Sequence, residues 1–412
     1  MTRPRSTRTA AVALSTAAAL TLLGLASGPA GATTAPAAGT TAASAAEPAT
    51  YAVQDLGTLG GTNSKATALD GATVVGDSDT RHHARTDAFA YDRATGRMTD
   101  LRTLGGTSST AVAVHGRYVV GDSTLAGDET THGFVYDLRG HRMADLGTLG
   151  GTDSSVAALG GKVVVGTAST AGDTADHAFA YDLGTHTMTD LGSLAGPTGD
   201  SEAVAIAGGR YVVGDSAAPG GPANVTHGFV YDLRTGTMTD LGADGGTYSK
   251  VTDVSGHTVV GAYGVPQAGG STRTHGFSYD LRTGTWTDLG DRLFVTPLVA
   301  GRHVVGWDGE AAWAYDLKTQ ALTPLESRGV TTPTAIRGKV AVGDQFAANS
   351  FAFAYRTDTA VLTLLPSLGG LNSTASAVDA HGTVAGSAAT TPPDPYTANG
   401  PFHASLWSVS AG

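Results

Sequence analysis

Residues 111–151 read AVAVHGRYVVGDSTLAGDETTHGFVYDLRGHRMADLGTLGG, and residues 203–246 read AVAIAGGRYVVGDSAAPGGPANVTHGFVYDLRTGTMTDLGADGG. Both segments contain a run of small and branched residues, a turn with glycine, a Tyr-Val-Val-Gly segment, a polar loop, a His-Gly-Phe-Val-Tyr-Asp segment and an Asp-Leu-Gly segment. Similarity at a fixed spacing is the signature of a repeat architecture. The rest of the chain is therefore interpreted as further copies of this unit.

The unit recurs eight times, and the glycine that follows each small-Val-Val segment marks its position. These glycines are Gly76, Gly121, Gly166, Gly214, Gly261, Gly306, Gly343 and Gly386, spaced by 45, 45, 48, 47, 45, 37 and 43 residues. Each copy carries four short strand signals separated by turn residues. In the third signal the large Phe134 and Tyr136 alternate with Gly133 and Val135, and this period of two is typical of a β-strand. Four short strands in about 45 residues are typical of one propeller blade.

The two ends of the repeat region complete each other. The eighth copy stops after its third strand signal, at Phe402 to Val409, and Tyr51 to Leu56 matches the missing fourth strand. We therefore predict an all-β fold, an eight-bladed β-propeller of four-stranded blades whose ring is closed by the N-terminal strand pairing in the last blade. A seven-bladed ring is the alternative. A linear solenoid would not need half a repeat at each end.

The N-terminal region has the features of an export signal. Arg3, Arg5 and Arg8 precede an apolar run from Ala10 to Ala26 and a small-residue cleavage site at Ala30 to Ala32. This run is short for a membrane span. We predict a secretory signal peptide over 1–32, an Ala/Thr/Pro-rich linker over 33–50 and one propeller domain over 51–412. The protein is expected to be secreted, with no membrane span after signal removal.

The composition excludes several classes of function. The chain has 58 Gly and no Cys, so disulfides, thiolate metal sites and cysteine nucleophiles are absent. Without the three signal-peptide arginines, 22 basic residues face 36 acidic ones, a net charge of −14. Such a chain repels nucleic acid and anionic membranes. No cofactor and no nucleic-acid partner are predicted, and a monomer is expected.

The third-strand motif resembles a known family of repeats. The residues that carry this resemblance are His132-Gly133-Phe134, His177-Ala178-Phe179, His227-Gly228-Phe229 and His275-Gly276-Phe277. They resemble the HAF family of bacterial extracellular repeats, and the unit is also similar to kelch repeats, since Tyr279-Asp280 precedes Trp286. The resemblance covers 51–412 and departs at Ala311-Ala312-Trp313 and Phe351-Ala352-Phe353. It implies an exported propeller and carries over no catalytic residue.

Residues that repeat are predicted to be scaffold. The histidines His132, His177, His227, His275 and His403 are expected to form hydrogen bonds inside a blade, because equivalent third-strand positions cannot converge on one metal ion. The aspartates that follow Tyr, such as Asp137, are expected to cap turns. Function is therefore sought where the repeat varies.

The segments that precede each first strand vary most, and they surround the mouth of the tunnel, where side chains of different blades converge. The candidate ligand-binding residues are Asn63, Lys65, Asp153, Asp200, Glu202, Tyr248, Lys250 and Asn372. A polar cluster with aromatic walls is suited to binding a ligand. We predict a binding or scaffold protein that recognises an extracellular glycan or protein at this mouth.

Two other functions stay open. A polysaccharide hydrolase or lyase would use mouth carboxylates such as Asp200 with Glu202, although the chain has no G-x-S-x-G and no H-E-x-x-H motif. A structural surface protein would bind no ligand. The sequence favours a protein without catalysis and predicts no metal site. Calcium at Asp122, Asp128 and Glu129 is a weaker alternative, because the spacing is not that of an EF-hand loop.

Overall fold

The computed structural model describes residues 49–81, 85–222, 225–325, 329–391 and 400–410. These residues form 32 β-strands and one short 3-10 helix, Ala171–Asp173. They include no helix long and apolar enough to cross a membrane. The predicted signal peptide and all of the predicted linker except Ala49 and Thr50 lie outside the described residues.

The strands follow one another in antiparallel groups of four, here called sheets 1 to 8 in chain order. Sheet 1 contains β2 (Gly60–Asp70), β3 (Thr73–Thr80), β4 (Thr86–Asp92) and β5 (Arg97–Arg102). Sheet 2 contains β6 (Gly105–His115), β7 (Tyr118–Leu125), β8 (Thr131–Asp137) and β9 (Arg142–Asp145). Sheet 3 contains β10 (Gly150–Gly160), β11 (Val163–Thr170), β12 (Asp176–Asp182) and β13 (Thr187–Gly192). Sheet 4 contains β14 (Ser201–Ala207), β15 (Tyr211–Ala217), β16 (Thr226–Asp232) and β17 (Thr237–Gly242).

The second half of the chain continues in the same order. Sheet 5 contains β18 (Ser249–Ser255), β19 (Thr258–Pro266), β20 (Thr272–Asp280) and β21 (Thr285–Gly290). Sheet 6 contains β22 (Val295–Ala300), β23 (His303–Trp307), β24 (Ala312–Asp316) and β25 (Ala321–Pro324). Sheet 7 contains β26 (Val330–Arg337), β27 (Val340–Phe346), β28 (Ser350–Arg356) and β29 (Val361–Leu364). Sheet 8 contains β30 (Gly369–Val378), β31 (Val384–Thr390), β32 (Phe402–Val409) and, from the start of the chain, β1 (Tyr51–Asp55).

Strand β1 pairs antiparallel with β32, with Tyr51 opposite Val409 and Asp55 opposite Ser405. One parallel bridge, between Thr86 and Ser108, joins sheets 1 and 2. The first strands of successive sheets contact each other, and β2 contacts both β6 and β30. The architecture is thus all-β and built from the four-stranded antiparallel sheets that are typical of β-propellers.

Apolar side chains fill the space between neighbouring sheets. One cluster combines Val120 of sheet 2 with Val164 and Phe179 of sheet 3. Another combines Ala385 and Leu406 of sheet 8 with residues of sheet 1. The repeated third-strand phenylalanines are completely buried, at Phe89, Phe134, Phe179, Phe229, Phe277 and Phe353. The repeat therefore specifies the core as well as the strand order.

The marker glycines lie inside the second strands, whereas the sequence predicts them at the strand ends. In sheet 1 the first strand has a bulge between Ala66 and Ala68, directly opposite Gly76. A Cβ atom at Gly76 would overlap the Lys65 carbonyl oxygen. The residue must be glycine because the bulge brings the two backbones together, and the strand continues beyond it to Thr80.

The polar, Gly-rich segment from Ala262 to Thr274 has the composition of a long loop, but it is largely strand. β19 extends to Pro266 and β20 starts at Thr272, with Pro266 paired to Thr272. Only the residues between Pro266 and Thr272 form a loop, at the tip of this long hairpin. The polar residues on either side are paired as strand, because backbone pairing tolerates polar side chains on an exposed ribbon.

A buried serine near the start of the first strand links each of six sheets to the sheet before it. Ser154 Oγ accepts a hydrogen bond from the backbone N–H of Gly133 (3.0 Å) and donates to the Gly147 carbonyl (2.7 Å). Equivalent bonds connect Ala404 to Ser64, Ala88 to Ser109, Ala178 to Ser201, Gly228 to Ser249 and Ala352 to Ser373. The sequence analysis did not identify this serine, although it recurs in six copies.

Changing Ser154→Ala is expected to lower the free energy of unfolding by about 1–3 kcal/mol, because it leaves the Gly133 N–H buried without an acceptor. Chemical denaturation measures this loss. The neighbouring Ser155→Ala is the matched control, since Ser155 is half-buried and makes no hydrogen bond through its side chain among the described residues. Equal stability of the two variants would contradict the role assigned to Ser154.

Candidate functional site

The repeated histidines bond to the repeated aspartates of the neighbouring outer strand. His132 Nδ1 lies 2.9 Å from the Asp145 carboxylate, and His177 Nδ1 lies 2.9 Å from Asp190. The same pair occurs as His227 with Asp240, His275 with Asp288 and His403 with Asp55. The prediction that these histidines bond inside one blade-like unit is confirmed.

The aspartates that follow Tyr accept backbone hydrogen bonds in the next turn, as predicted. Asp137 Oδ1 accepts from the Arg139 N–H at 3.0 Å, and Asp182 Oδ1 accepts from the Gly184 N–H at 2.6 Å. Equivalent bonds are made by Asp92, Asp232, Asp280 and Asp316. These residues are scaffold.

Sheet 1 replaces the repeated histidine with Asp87, whose side chain is completely buried. Burial and the nearby Asp100 carboxylate together raise its pKa to about 6, against the lowering effect of Arg85. Arg85 Nη2 lies 3.0 Å from Asp87 Oδ2. The same position thus carries a carboxyl–carboxylate pair here and a histidine–carboxylate pair in five other sheets.

Four of the eight candidate ligand-binding residues bond back to the preceding sheet. The Asn63, Asp153, Asp200 and Asn372 side chains accept hydrogen bonds from the backbone N–H groups of Phe402, Thr131, Asp176 and Ser350, at 3.1, 2.8, 3.1 and 2.8 Å. Each N–H donor is that of the first residue of the preceding sheet's third strand. These four side chains hold neighbouring sheets together. Ligand binding by them stays a prediction.

A fifth candidate residue, Tyr248, bonds within its own sheet. The Tyr248 hydroxyl lies 2.8 Å from Thr274 Oγ1 of β20. Its ring is half-buried. This contact fixes the segment that leads into β18 against the long hairpin of sheet 5.

The remaining candidates, Lys65, Glu202 and Lys250, occupy one register position on three first strands. Lys65 lies opposite Asp77, Glu202 opposite Asp215, and Lys250 opposite Ala262. Glu202 and Lys250 are exposed, and Lys65 is half-buried. The strand pairing confirms that these positions are equivalent, whereas the prediction that they precede the first strands is wrong: Lys65 lies inside β2, and Glu202 and Lys250 are the second residues of β14 and β18.

Four aspartates face this position from the second strand, and of these only Asp122 was named from the sequence, as a possible calcium ligand. Asp77, Asp122, Asp215 and Asp344 each follow a marker glycine directly. The Asp122 and Asp215 carboxylates each accept a hydrogen bond of 2.7 Å from the next sheet, from the N–H groups of Val156 and Val251. Asp344 accepts one of 2.9 Å from Ala375. An aspartate follows the marker glycine in four of the eight copies, and this recurrence is the sequence feature that could have identified them.

Burial dominates the protonation of these carboxyls. It raises the pKa of Asp77 to about 6 and the pKa of Asp122, Asp215 and Asp344 to about 7. Asp215 and Asp344 are each only 6% exposed. Groups that change protonation near neutral pH are common at functional sites, although buried structural carboxyls share this behaviour.

Two charged clusters form around these carboxyls. In the first cluster, Lys65 is close enough to lower the pKa of both Asp77 and Asp344. In the second cluster, Glu202 raises and Lys250 lowers the pKa of Asp215. The first cluster joins sheets 1 and 7, and the second joins sheets 4 and 5. Each offers hydrogen-bond donors and acceptors of both charges to a ligand.

The three residues considered for calcium are not brought together. Asp122 bonds to Val156, while the Asp128 carboxylate accepts hydrogen bonds from Thr107 and Thr124. Across the described ranges, no group of three or more His, Asp or Glu side chains is placed to hold a metal ion. The Thr107 and Thr124 bonds lower the pKa of Asp128 and fix the loop in which it lies.

Comparison with known proteins supports the fold alone. No family model and no curated protein matches the chain. The β-propeller domain of the Trilobed protease from Pyrococcus furiosus matches with a TM-score of 0.50 and 9% identity, over 74% of this chain and 96% of that domain. Porphyromonas gingivalis dipeptidyl peptidase 4 matches with a TM-score of 0.51 and 9% identity, over 82% of this chain and 57% of the peptidase. A prolyl endopeptidase matches with a TM-score of 0.51 and 14% identity, over 74% of this chain and 49% of the endopeptidase.

Proposed function

We propose that the chain is a binding protein that recognises an extracellular glycan or protein through the two charged clusters on its first strands. The observation that carries this proposal is that Lys65, Glu202 and Lys250 occupy one register position on three first strands, with Lys65 opposite Asp77 and Glu202 opposite Asp215. Paired charges and backbone-anchored carboxylates are suited to orienting a polar ligand. The non-repeating residues at this position distinguish it from the scaffold.

The same proposal includes the architecture and the location of the protein. We propose one domain over 51–412, an eight-bladed propeller whose ring is closed by β1 in sheet 8. Support comes from the contacts of β2 with both β6 and β30 and from the pairing of β1 with β32. Export through an N-terminal signal and membership of the HAF-repeat family belong to this proposal, and they rest on the sequence.

A triple variant tests the proposed site. Changing Lys65→Ala, Glu202→Ala and Lys250→Ala is expected to lower binding of any ligand found on a glycan array, or in a pull-down from extracellular medium, by roughly tenfold or more. The control carries Thr110→Ala and Ser155→Ala, two uncharged residues at the same register position on β6 and β10. If both proteins bind equally well, the clusters are not the binding site. If the native chain binds nothing, a structural role replaces the proposal.

A second candidate function is polysaccharide hydrolysis or lysis, and one observation favours it. Glu202 lies opposite Asp215 in the strand register, and burial raises the pKa of Asp215 to about 7, so Asp215 can hold a proton near neutral pH as a general acid requires. Asp200, the partner expected from the sequence, instead bonds to Asp176 of sheet 3. The test is an activity assay on a panel of polysaccharides. Catalysis would be supported if the native chain turns over one of them and both Glu202→Gln and Asp215→Asn abolish that turnover.

A further inference from the structure

A slot between sheets 4 and 5 lies at the opposite end of the strands from the charged clusters. Its volume is about 340 Å³, and its lining includes Tyr211, Asp232 and Tyr279. Tyr211 is the first residue of β15 and Asp232 is the last residue of β16. Lys250, by contrast, lies at the start of its first strand. The slot is therefore independent of the proposed function.

The walls of the slot are aromatic because one repeated tyrosine is less covered here. The third-strand tyrosines Tyr91, Tyr136, Tyr181 and Tyr355 are 4%, 6%, 7% and 1% exposed. The equivalent Tyr279 is half-exposed and faces the slot. Tyr211 forms the opposite part of the lining, with the Arg210 guanidinium 4.5 Å from its ring centroid. Tyr231 and Tyr315 are half-buried as well, so the partly accessible tyrosine ring is a feature of sheets 4 to 6.

The rim of the slot carries hydroxyl groups in a row. Thr237 and Thr239 lie two residues apart on the outer strand β17, so their side chains point to one side at a spacing of about 7 Å. Both are exposed, and neither hydroxyl has a hydrogen-bond partner in the part of the chain that the structure describes. Each can donate and accept a hydrogen bond from a ligand.

A fixed carboxylate completes the lining. Arg210 Nε and Nη2 donate to the two Asp232 oxygens at 2.8 and 2.6 Å. These bonds lower the pKa of Asp232 to about 2, so the carboxylate stays ionised and its charge is balanced by the arginine. Asp232 also accepts the turn hydrogen bond from the Arg234 N–H, so its carboxylate has about one acceptor position left for a ligand, without a net charge.

From these contacts we infer that the slot between sheets 4 and 5 binds a neutral pyranose sugar. Tyrosine rings and the apolar floor at Val230 and Leu241 match the C–H face of a sugar ring, while the threonine hydroxyls and Asp232 match its hydroxyl groups. A balanced charge favours a neutral sugar over an anionic or a cationic one. The volume lies within the range of small-ligand sites.

Trp286 provides a local signal for binding. Its ring centroid lies 6.3 Å from that of Tyr279 and 4.0 Å from that of Phe277, on which it stacks. Titration with maltose, cellobiose and diacetylchitobiose, up to about 100 mM because single sugar sites are weak, is expected to change Trp286 fluorescence saturably with at least one sugar. The variant Trp286→Phe should lose the fluorescence change and keep the saturation-transfer NMR signal of the bound sugar.

Variants locate the bound sugar. Tyr211→Ala, and separately Thr237→Val with Thr239→Val, are expected to weaken binding roughly tenfold, a loss of about 1.4 kcal/mol. Tyr118→Ala is the matched control, because Tyr118 starts β7 in the same way and has Arg117 4.7 Å from its ring centroid. The charged-cluster triple variant should bind the sugar normally.

Three results would overturn the inference: no saturable binding of any of the three sugars, undiminished binding by the threonine double variant, or equal weakening by Tyr118→Ala. Thr237 and Thr239 are exposed, and the double threonine variant is therefore expected to fold. It keeps the test valid if Tyr211→Ala does not fold. Loss of sugar binding in the charged-cluster variant alone would instead assign the sugar to the proposed mouth site.

Discussion

A chain that lacks Tyr51 to Leu56 is expected to melt at least about 5 °C below the intact chain. The deletion removes the edge strand of sheet 8 and exposes side chains that Tyr51 and Val53 cover, including the core that contains Trp407. It also removes Leu56, which is 6% exposed and packs between sheets 8 and 1. One buried and two partly buried apolar side chains contribute roughly 5 kcal/mol. For a domain of this size, the unfolding entropy converts each kcal/mol into about 1 °C of melting temperature.

The control for this deletion removes only residues 33–48, which precede the described strands. Differential scanning calorimetry on both proteins separates the loss of β1 from the loss of chain length. A second variant, His403→Ala, removes the bond of 2.9–3.0 Å to Asp55 while keeping the strand. If the protein without β1 melts at the temperature of the control, strand β1 does not stabilise sheet 8.

The melting temperature is also expected to fall by about 5 °C or more between pH 5 and pH 8. Asp122, Asp215 and Asp344 have folded-state pKa values of about 7, compared with 3.8 for an ordinary aspartate. The folded chain therefore binds more protons than the unfolded chain between about pH 4 and pH 7, and its stability decreases as the pH rises through this range. Each fully buried carboxyl lowers the free energy of unfolding by at most roughly 4 kcal/mol over this rise in pH.

Asparagine variants isolate the cause of this pH dependence. Asp215→Asn with Asp344→Asn keeps an oxygen for the Val251 and Ala375 N–H groups and removes the titration, so the slope of melting temperature against pH should flatten. Asp182→Asn is the control, since Asp182 caps an exposed turn. A double variant with the original slope would show that other groups are responsible.

Asp232 and Asp308 have pKa values of about 2, and their effect on stability has the opposite sign. They lower the stability as the pH falls, and only below about pH 4.

The repeat predicted strand order and side-chain roles because these depend on short-range spacing. Strand β32 occupies 402–409, the range expected for the third strand of the last copy, and β1 starts at the expected Tyr51. The histidine and aspartate roles followed from the same argument, since a residue repeated in most units serves the unit. Strand ends were less predictable, because the bulge opposite Gly76 is a property of two paired backbones.

The candidate site was harder to predict because variation has two causes. Asn63 and Asp153 differ between copies, yet both serve as acceptors for the preceding sheet, so different residue types perform one structural task. Asp215 and Asp344 recur after the marker glycine but were not among the predicted residues, because their burial and their charged neighbours become evident only when the sheets are assembled. Sequence alone does not show which side chains face another sheet.

The pairing of the two ends of the chain has a mechanical consequence. Tyr51 lies opposite Val409, and the Ser410 N–H donates to the Thr50 carbonyl at 2.8 Å, so both ends of the described domain leave from the same corner of sheet 8. A tensile load applied to both ends acts across the β1–β32 ladder and breaks its hydrogen bonds one after another, as in opening a zipper. An attachment at one end alone transmits no load across this ladder. The fold is thus mechanically weakest when it links two anchored points and unaffected when it hangs from one.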